Sequence, residues 1–293
     1  MSEKGSNQYM MMLSEIFPFN LFQPEYSGTT IFPPHWHDKC LEIIYFCGGR
    51  AELHIGGVAY NAAPGDLFLI GEGVIHSCYL IDETPNYYTI LLDRYKIIAS
   101  DLNSVEYGPQ LTGNFSLPVM LQAEHAHYEE FVQLIAEIIE EFVAKQVGFE
   151  AVVKSCLQIL LTKFIRYYGD SGNEATRQSG IYRNKMERLK DVISFIESNY
   201  QEKISIRHAA SIAKMSHYHF CRVFKDAVGR TFHEYLQLYR IGKVEELLLQ
   251  TDLPVTRIAE QTGFVTAQNL GVLFKRHRGC TPMQYRKSCV SSQ

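Results

Sequence analysis

The amino-acid sequence predicts an α+β multidomain chain: an N-terminal antiparallel β-barrel with a helical pair, then an all-α half built from two helix-turn-helix units. Three observations carry this. Short β-rich runs punctuated by Gly-Gly and Pro-Gly pairs fill the first 120 or so residues. From Ala123 the apolar period changes to steps of three and four. Finally, FKDAVGRTFHEY at 224–235 returns fifty residues later as FKRHRGCTPMQY at 274–285, both reading Phe-Lys-x-x-x-Gly-x-Thr-x-x-x-Tyr. Two copies of a segment long enough for several helices make a duplicated module, not a solenoid.

The barrel expectation covers residues 1–122. Segments such as Ala51–Ile55 and Leu67–Ile70 are short, β-rich and bounded by turn pairs, the signature of an antiparallel barrel or sandwich. Over 123–168, Tyr128, Phe131, Ile135, Ile138 and Phe142 mark one amphipathic helix, Gly148 breaks it, and Val153, Leu157, Leu160 and Phe164 mark a second. Part of these stripes is expected to pack on the barrel and part to form a dimer interface. Residues 169–184, beginning GDSGNEATRQSG, read as a flexible linker. The helical half then runs over 185–289.

Composition bounds the function classes. With 293 residues, 46% apolar and 20% charged, the chain has the size of about two domains and the make-up of a soluble protein. No run of about 18 apolar residues could span a bilayer, and the acidic N-terminal stretch lacks a secretory cleavage pattern. Seven cysteines without a Cys-x-x-Cys pair are expected to be reduced thiols, so a cytoplasmic location and no membrane partner are expected. Charge divides sharply. Residues 1–183 hold 11 basic and 22 acidic side chains, a balance of −11, whereas residues 184–293 hold 17 and 10, a balance of +7. A basic half points to nucleic acid only when a motif supports it.

That support lies in the repeat. Val192, Ile193, Ile196 and Tyr200 form the inner face of a first helix. A short helix over 207–212, a turn at 213–215 and Ser216 as N-cap introduce the next, with Phe220, Val223 and Phe224 facing inward. His217 begins this helix, and Tyr218, Cys221, Arg222 and Lys225 line its outer face, where Arg222 could grip guanine O6 and N7 in a major groove. In the second copy, residues 255–261 form the short helix and Thr266 caps the reader. Gln268 and Asn269 suit adenine edges, while Lys275, Arg276 and Arg278 could reach phosphates. The helix over 234–250 would hold the two readers about 34 Å apart, one turn of duplex.

RIAEQTGF, LFKRHRGCTP and QYRK resemble the C-terminal signature of AraC/XylS-type transcription regulators, over about residues 185–288. The resemblance implies sequence-specific binding of double-stranded DNA, activation more than repression, RNA polymerase as a partner and no enzymatic activity. Leu270-Gly271-Val272 stands where the family usually has an aromatic-Ser-Arg stretch. The second reader is therefore expected to give less base specificity than the first, or mainly phosphate contact.

HWHDKCLE, with Gly49 beyond it, resembles the first cupin motif; Gly65, Gly73 and His76 resemble the second, with Gly71 and Leu80 replacing the usual proline and asparagine. The resemblance implies a cupin-like jelly-roll barrel that binds an effector. His35 and His37 share a face of one strand, and with Glu42 and His76 they could form a three-nitrogen, one-oxygen shell for a divalent metal. The plainer alternative is a set of polar groups serving a ligand or the fold. His35, Trp36, His37, Glu42, Tyr45 and His76 are the candidate effector contacts, a sugar being one candidate class. No cofactor is required. The sequence thus predicts a small-molecule-responsive, homodimeric regulator; a metal-dependent cupin enzyme with a DNA module and a constitutive DNA-binding protein are the alternatives.

Overall fold

The computed structural model describes residues 19–22, 30–38, 40–81, 85–99, 119–168 and 174–290. The N-terminal stretch before Phe19 and the first part of the expected linker, 169–173, lie outside the described residues. Among the described residues, nine strands make two antiparallel sheets. One holds β1 (Phe19–Phe22), β8 (Asn86–Leu92), β3 (Leu41–Gly48), β6 (Leu67–Ile70) and β9 (Met120–Leu121), in that order. The other holds β2 (Thr30–His35), β7 (His76–Leu80), β4 (Ala51–Ile55) and β5 (Val58–Ala62). Gly56 and Gly57 turn β4 into β5 with φ of 58° and 88°, the doubly left-handed turn that matches strand twist and that side chains resist.

Strand alternation divides two cores. Ile44 and Phe46 of β3 point between the sheets to join Phe32, Leu53, Phe68 and Tyr87. Leu41 and Ile43 point out to a helical pair, α2 (Tyr128–Ala144) and α3 (Phe149–Tyr168), which follows the short α1 (Arg94–Ala99). Phe131, Ile135 and Ile138 of α2 and Val153, Leu157, Leu160 and Phe164 of α3 are fully buried there, with the Phe131 and Phe164 rings stacked 4.1 Å apart. Val143, Val152 and Ile159 stay exposed on the same pair, as does Val147 in the turn that joins them.

The linker expectation is corrected beyond 173. Helix α4 runs from Glu174 to Asn199, so residues 174–184 are helical. Glu174, Ala175, Arg177 and Gln178 are all good helix formers, which outweighs the Gly/Ser content and low apolarity that predict a coil there. After α4 come α5 (Ile206–Ile212), α6 (His217–Val228), α7 (Phe232–Gln250), α8 (Val255–Gln261), α9 (Ala267–Arg278) and α10 (Pro282–Val290). Helix α7 serves both units: Phe232, Tyr235 and Leu236 enter the core with Phe220 and Phe224, while Ile241, Val244 and Leu248 enter the core with Leu270 and Phe274. A capping box of Thr231 and Glu234 fixes where it starts. Among the described residues no helix is long and apolar enough to cross a membrane.

Candidate nucleic-acid interface and barrel site

Both recognition helices are built by local signals. The Ser216 hydroxyl accepts from the His219 N–H, and the Thr266 hydroxyl accepts from the Asn269 N–H at 3.0 Å. Each satisfies an amide that has no partner within its helix. Gly229 and Gly279 end the helices in the left-handed conformation, each donating its N–H to the carbonyl of Lys225 or Lys275. Phe220 and Phe224 turn inward as the sequence predicted, and so do Leu270 and Phe274 of the second unit; Val223 and Leu273 are half-buried. His217, Tyr218, Arg222 and Lys225 are exposed and Cys221 partly so; Tyr218 is 88% exposed. On the second unit Thr266, Gln268, Asn269, Lys275 and Arg276 are exposed.

Arg278 differs. Its guanidinium pairs in a two-pronged fashion with the Glu245 carboxylate of α7, Nη2 lying 2.8 Å from Oε2, with both side chains largely buried. It braces α9 against α7 and is not a phosphate contact.

In the barrel the structure brings together His35, His37, Glu42 and His76, all buried, with their ligand atoms within 4.8 Å of one another. The His35 and His76 Nδ1 atoms lie 2.8 Å and 2.9 Å from the Pro33 and Val74 carbonyls. Those carbonyls can only accept, so each Nδ1 carries a proton and each Nε2 is turned into the cluster. His76 Nε2 lies 2.7 Å and His37 Nε2 3.2 Å from Glu42 Oε2, yet His76 Nε2 and Glu42 Oε2 lack the angles of a hydrogen bond. Burial, then the neighbouring His76, lowers the His35 pKa to about 3. The two histidines hold the Glu42 carboxyl well below its usual range despite burial.

Tyr45 and Trp36 do not join this cluster. Tyr45 is three residues from Glu42 on one strand, so it faces the helical pair. Trp36 lies between the two histidines and packs instead on the helical half, with the Lys190 ammonium 5.2 Å above its ring. Strand parity alone could have placed both. His125 and His127 are exposed and lie ahead of α2, outside the helix.

The barrel also grips the first recognition helix. The Ser77 and Tyr79 hydroxyls donate to the Val228 carbonyl at 2.9 Å and 2.7 Å. Arg230 lies 3.9 Å over the Tyr79 ring and 3.7 Å from Glu52, Lys190 lies 3.6 Å from Asp38, and Ile75 enters the helical core. A cleft of about 280 Å³ opens beside this contact, lined by Thr30, Pro33 and Tyr79 from the barrel and by Tyr239, Lys243 and Tyr285 from the helices. No local sequence signal marks these residues, since the partners lie about 150 positions apart.

Comparison with known proteins agrees with both halves. A family model described as an AraC-like ligand binding domain matches residues 25–157, and one described as a helix-turn-helix domain matches residues 209–288. The uncharacterized HTH-type transcriptional regulator YdeC of Bacillus subtilis is 23% identical over 87% of this chain and 86% of its own. YbfI of the same organism, similarly described, is 29% identical over 80% and 79%. Among solved structures, an apo form of ToxT from Vibrio cholerae covers 92% of this chain and 96% of its own at 15% identity, with a TM-score of 0.39. With a ligand-binding barrel in front, a tandem helix-turn-helix half behind, and relatives matching along most of both chains, this protein belongs to the AraC/XylS-type transcriptional regulators.

Proposed function

We propose that this regulator activates transcription at specific duplex sites when a small polar molecule, with sugars the first class to try, binds its N-terminal half. The observation that carries the coupling is the Val228 carbonyl: the last turn of the first recognition helix hangs on two hydroxyls of barrel strand β7. A ligand that favours one arrangement of the barrel wall therefore biases how that helix is presented, a coupling on the order of 1–3 kcal/mol. His217, Tyr218, Cys221, Arg222 and Lys225, with Thr266, Gln268, Asn269, Lys275 and Arg276, form the DNA face. The exposed valines and Ile159 on α2 and α3 support a homodimer, and RNA polymerase is the partner that activation requires. Selection of bound sites from random duplex DNA, with and without candidate sugars and small acids, tests the reading. A ligand that raises the melting temperature and changes the occupied sites supports it. A site preference indifferent to every ligand that binds would leave a constitutive DNA-binding protein.

A second reading concerns the histidine cluster. Two Nε2 atoms oriented by backbone carbonyls, a third imidazole and a buried carboxylate fit a divalent metal of the Zn, Ni, Fe or Mn type. His35, His37, Glu42 and His76 would hold it, and the ion would supply positive charge that offsets a buried carboxylate. Titrating each of these metals into chelator-stripped protein should raise the melting temperature, and Glu42→Gln should remove the effect. No shift with any of them would return the cluster to the role of polar ligand contacts.

A further inference from the structure

The two recognition helices correspond residue for residue at a spacing of fifty. Each is 12 residues long, with a hydroxyl cap at its start and a left-handed glycine at its end. Their outward faces can therefore be compared position by position. The first presents Tyr218, Cys221, Arg222 and Lys225; the second presents Gln268, Gly271, Val272 and Lys275. The lysine is kept, but an isopropyl group stands where the first unit has a guanidinium.

Val272 is 67% exposed and belongs to neither hydrophobic core of the helical half. It adds nothing to either core, and a β-branched residue is no gain to a helix. Beside it, a Cβ built on Gly271 would meet nothing within 4 Å, and its backbone is ordinary helix. Neither crowding nor a left-handed turn inside the chain requires that glycine. What it leaves is clearance on the outward surface. An isopropyl group makes no hydrogen bond, and the apolar group a base-pair edge offers in the major groove is the thymine 5-methyl.

We propose that the second unit reads a thymine through Val272, with Gly271 clearing the approach, at the place where the first unit reads a guanine through Arg222. This rests on the DNA-binding reading above and narrows the second unit's role to one apolar readout beside its phosphate contacts. The bound site is then asymmetric, with G in one half and T at the equivalent position of the other.

The test uses the full chain and a duplex that it enriches from a random pool, each thymine replaced in turn by deoxyuridine, which removes only the methyl. Positions where Arg222→Ala relaxes selection define the first half. In the other half, one replacement should weaken binding about fourfold, the effect of losing one buried methyl. Val272→Ala should bind T and U alike there, and Val272→Arg should move the preference toward G. Gly271→Ala should raise the melting temperature yet weaken binding, which a merely structural glycine would not do. If site preference is intact but no thymine in that half responds, or Val272→Ala responds as wild type does, the inference falls and DNA reading stands. Absence of any duplex preference removes both.

Discussion

Gly229 and Gly279 close the two recognition helices at φ of 77° and 75°, yet they face different neighbours. A Cβ at Gly279 would meet nothing within 4 Å, whereas one at Gly229 would lie 2.6 Å from Nε2 of the buried His54 ring. Gly279→Ala should therefore cost about 1 kcal/mol, the strain of a left-handed alanine. Gly229→Ala should cost about 3 kcal/mol, because the barrel must also give way. Adding His54→Ala should return most of the difference, as read by urea denaturation. His35 yields a second prediction. Held neutral by burial, it titrates near 3 when folded and near 6.5 when unfolded. Between those values the unfolded chain binds the extra proton, so stability is present above about 6.5 and is lost progressively as pH falls toward 3. From pH 7.5 to 5.5, metal-stripped wild type should lose about 1 kcal/mol more than His35→Leu; equal losses would contradict the assignment.

Helix α7 links the readers by sharing its apolar face between their cores, and the Arg278–Glu245 pair fixes the second reader to it. Removing one partner of a buried pair strands the other charge, so Arg278→Ala should destabilise the chain by about 3 kcal/mol. Lys275→Ala, at an exposed position, should leave stability unchanged and flatten the dependence of DNA affinity on salt by about one phosphate contact. An Arg278→Ala chain of wild-type stability would remove the brace. These elements differ in how far the sequence revealed them. Caps and inward faces depend on neighbours within four residues, so Ser216, Thr266, Phe220 and Phe274 could be read directly. Arg278 could not, because an arginine at a helix end looks alike whether it meets water, phosphate or a carboxylate from a helix 33 positions away. The start of helix α4 is hidden in the sequence because polar, Gly/Ser-containing composition signals a coil over residues whose backbone preference is helical.

At the scale of the molecule, the barrel and the helical half share a hydrogen-bonded and apolar contact, so the two are not beads on a string. The His-x-His segment and the repeated Phe-Lys-x-x-x-Gly phrase revealed each half separately. Their junction left no trace, because Ser77, Tyr79, Glu52 and Arg230 form no motif and meet only after both halves have folded. In the function proposed above, that junction is the route by which events in the barrel reach DNA. Ser77→Ala with Tyr79→Phe deletes both donors to the Val228 carbonyl while leaving the ring under Arg230. Each lost hydrogen bond should cost about 1 kcal/mol. If the contact is the route of coupling, the loss will be local: amide exchange should quicken at the end of α6 and the start of α7, with the barrel's protection unchanged. The same variant should keep its site preference, since the groove-facing residues are untouched, but lose the response of DNA affinity to any ligand that still shifts the barrel's melting. A double variant that retains full ligand response would place the coupling elsewhere, in the contacts of Arg230 with Glu52 and the Tyr79 ring, in Ile75, or in the Lys190–Asp38 and Trp36 contact.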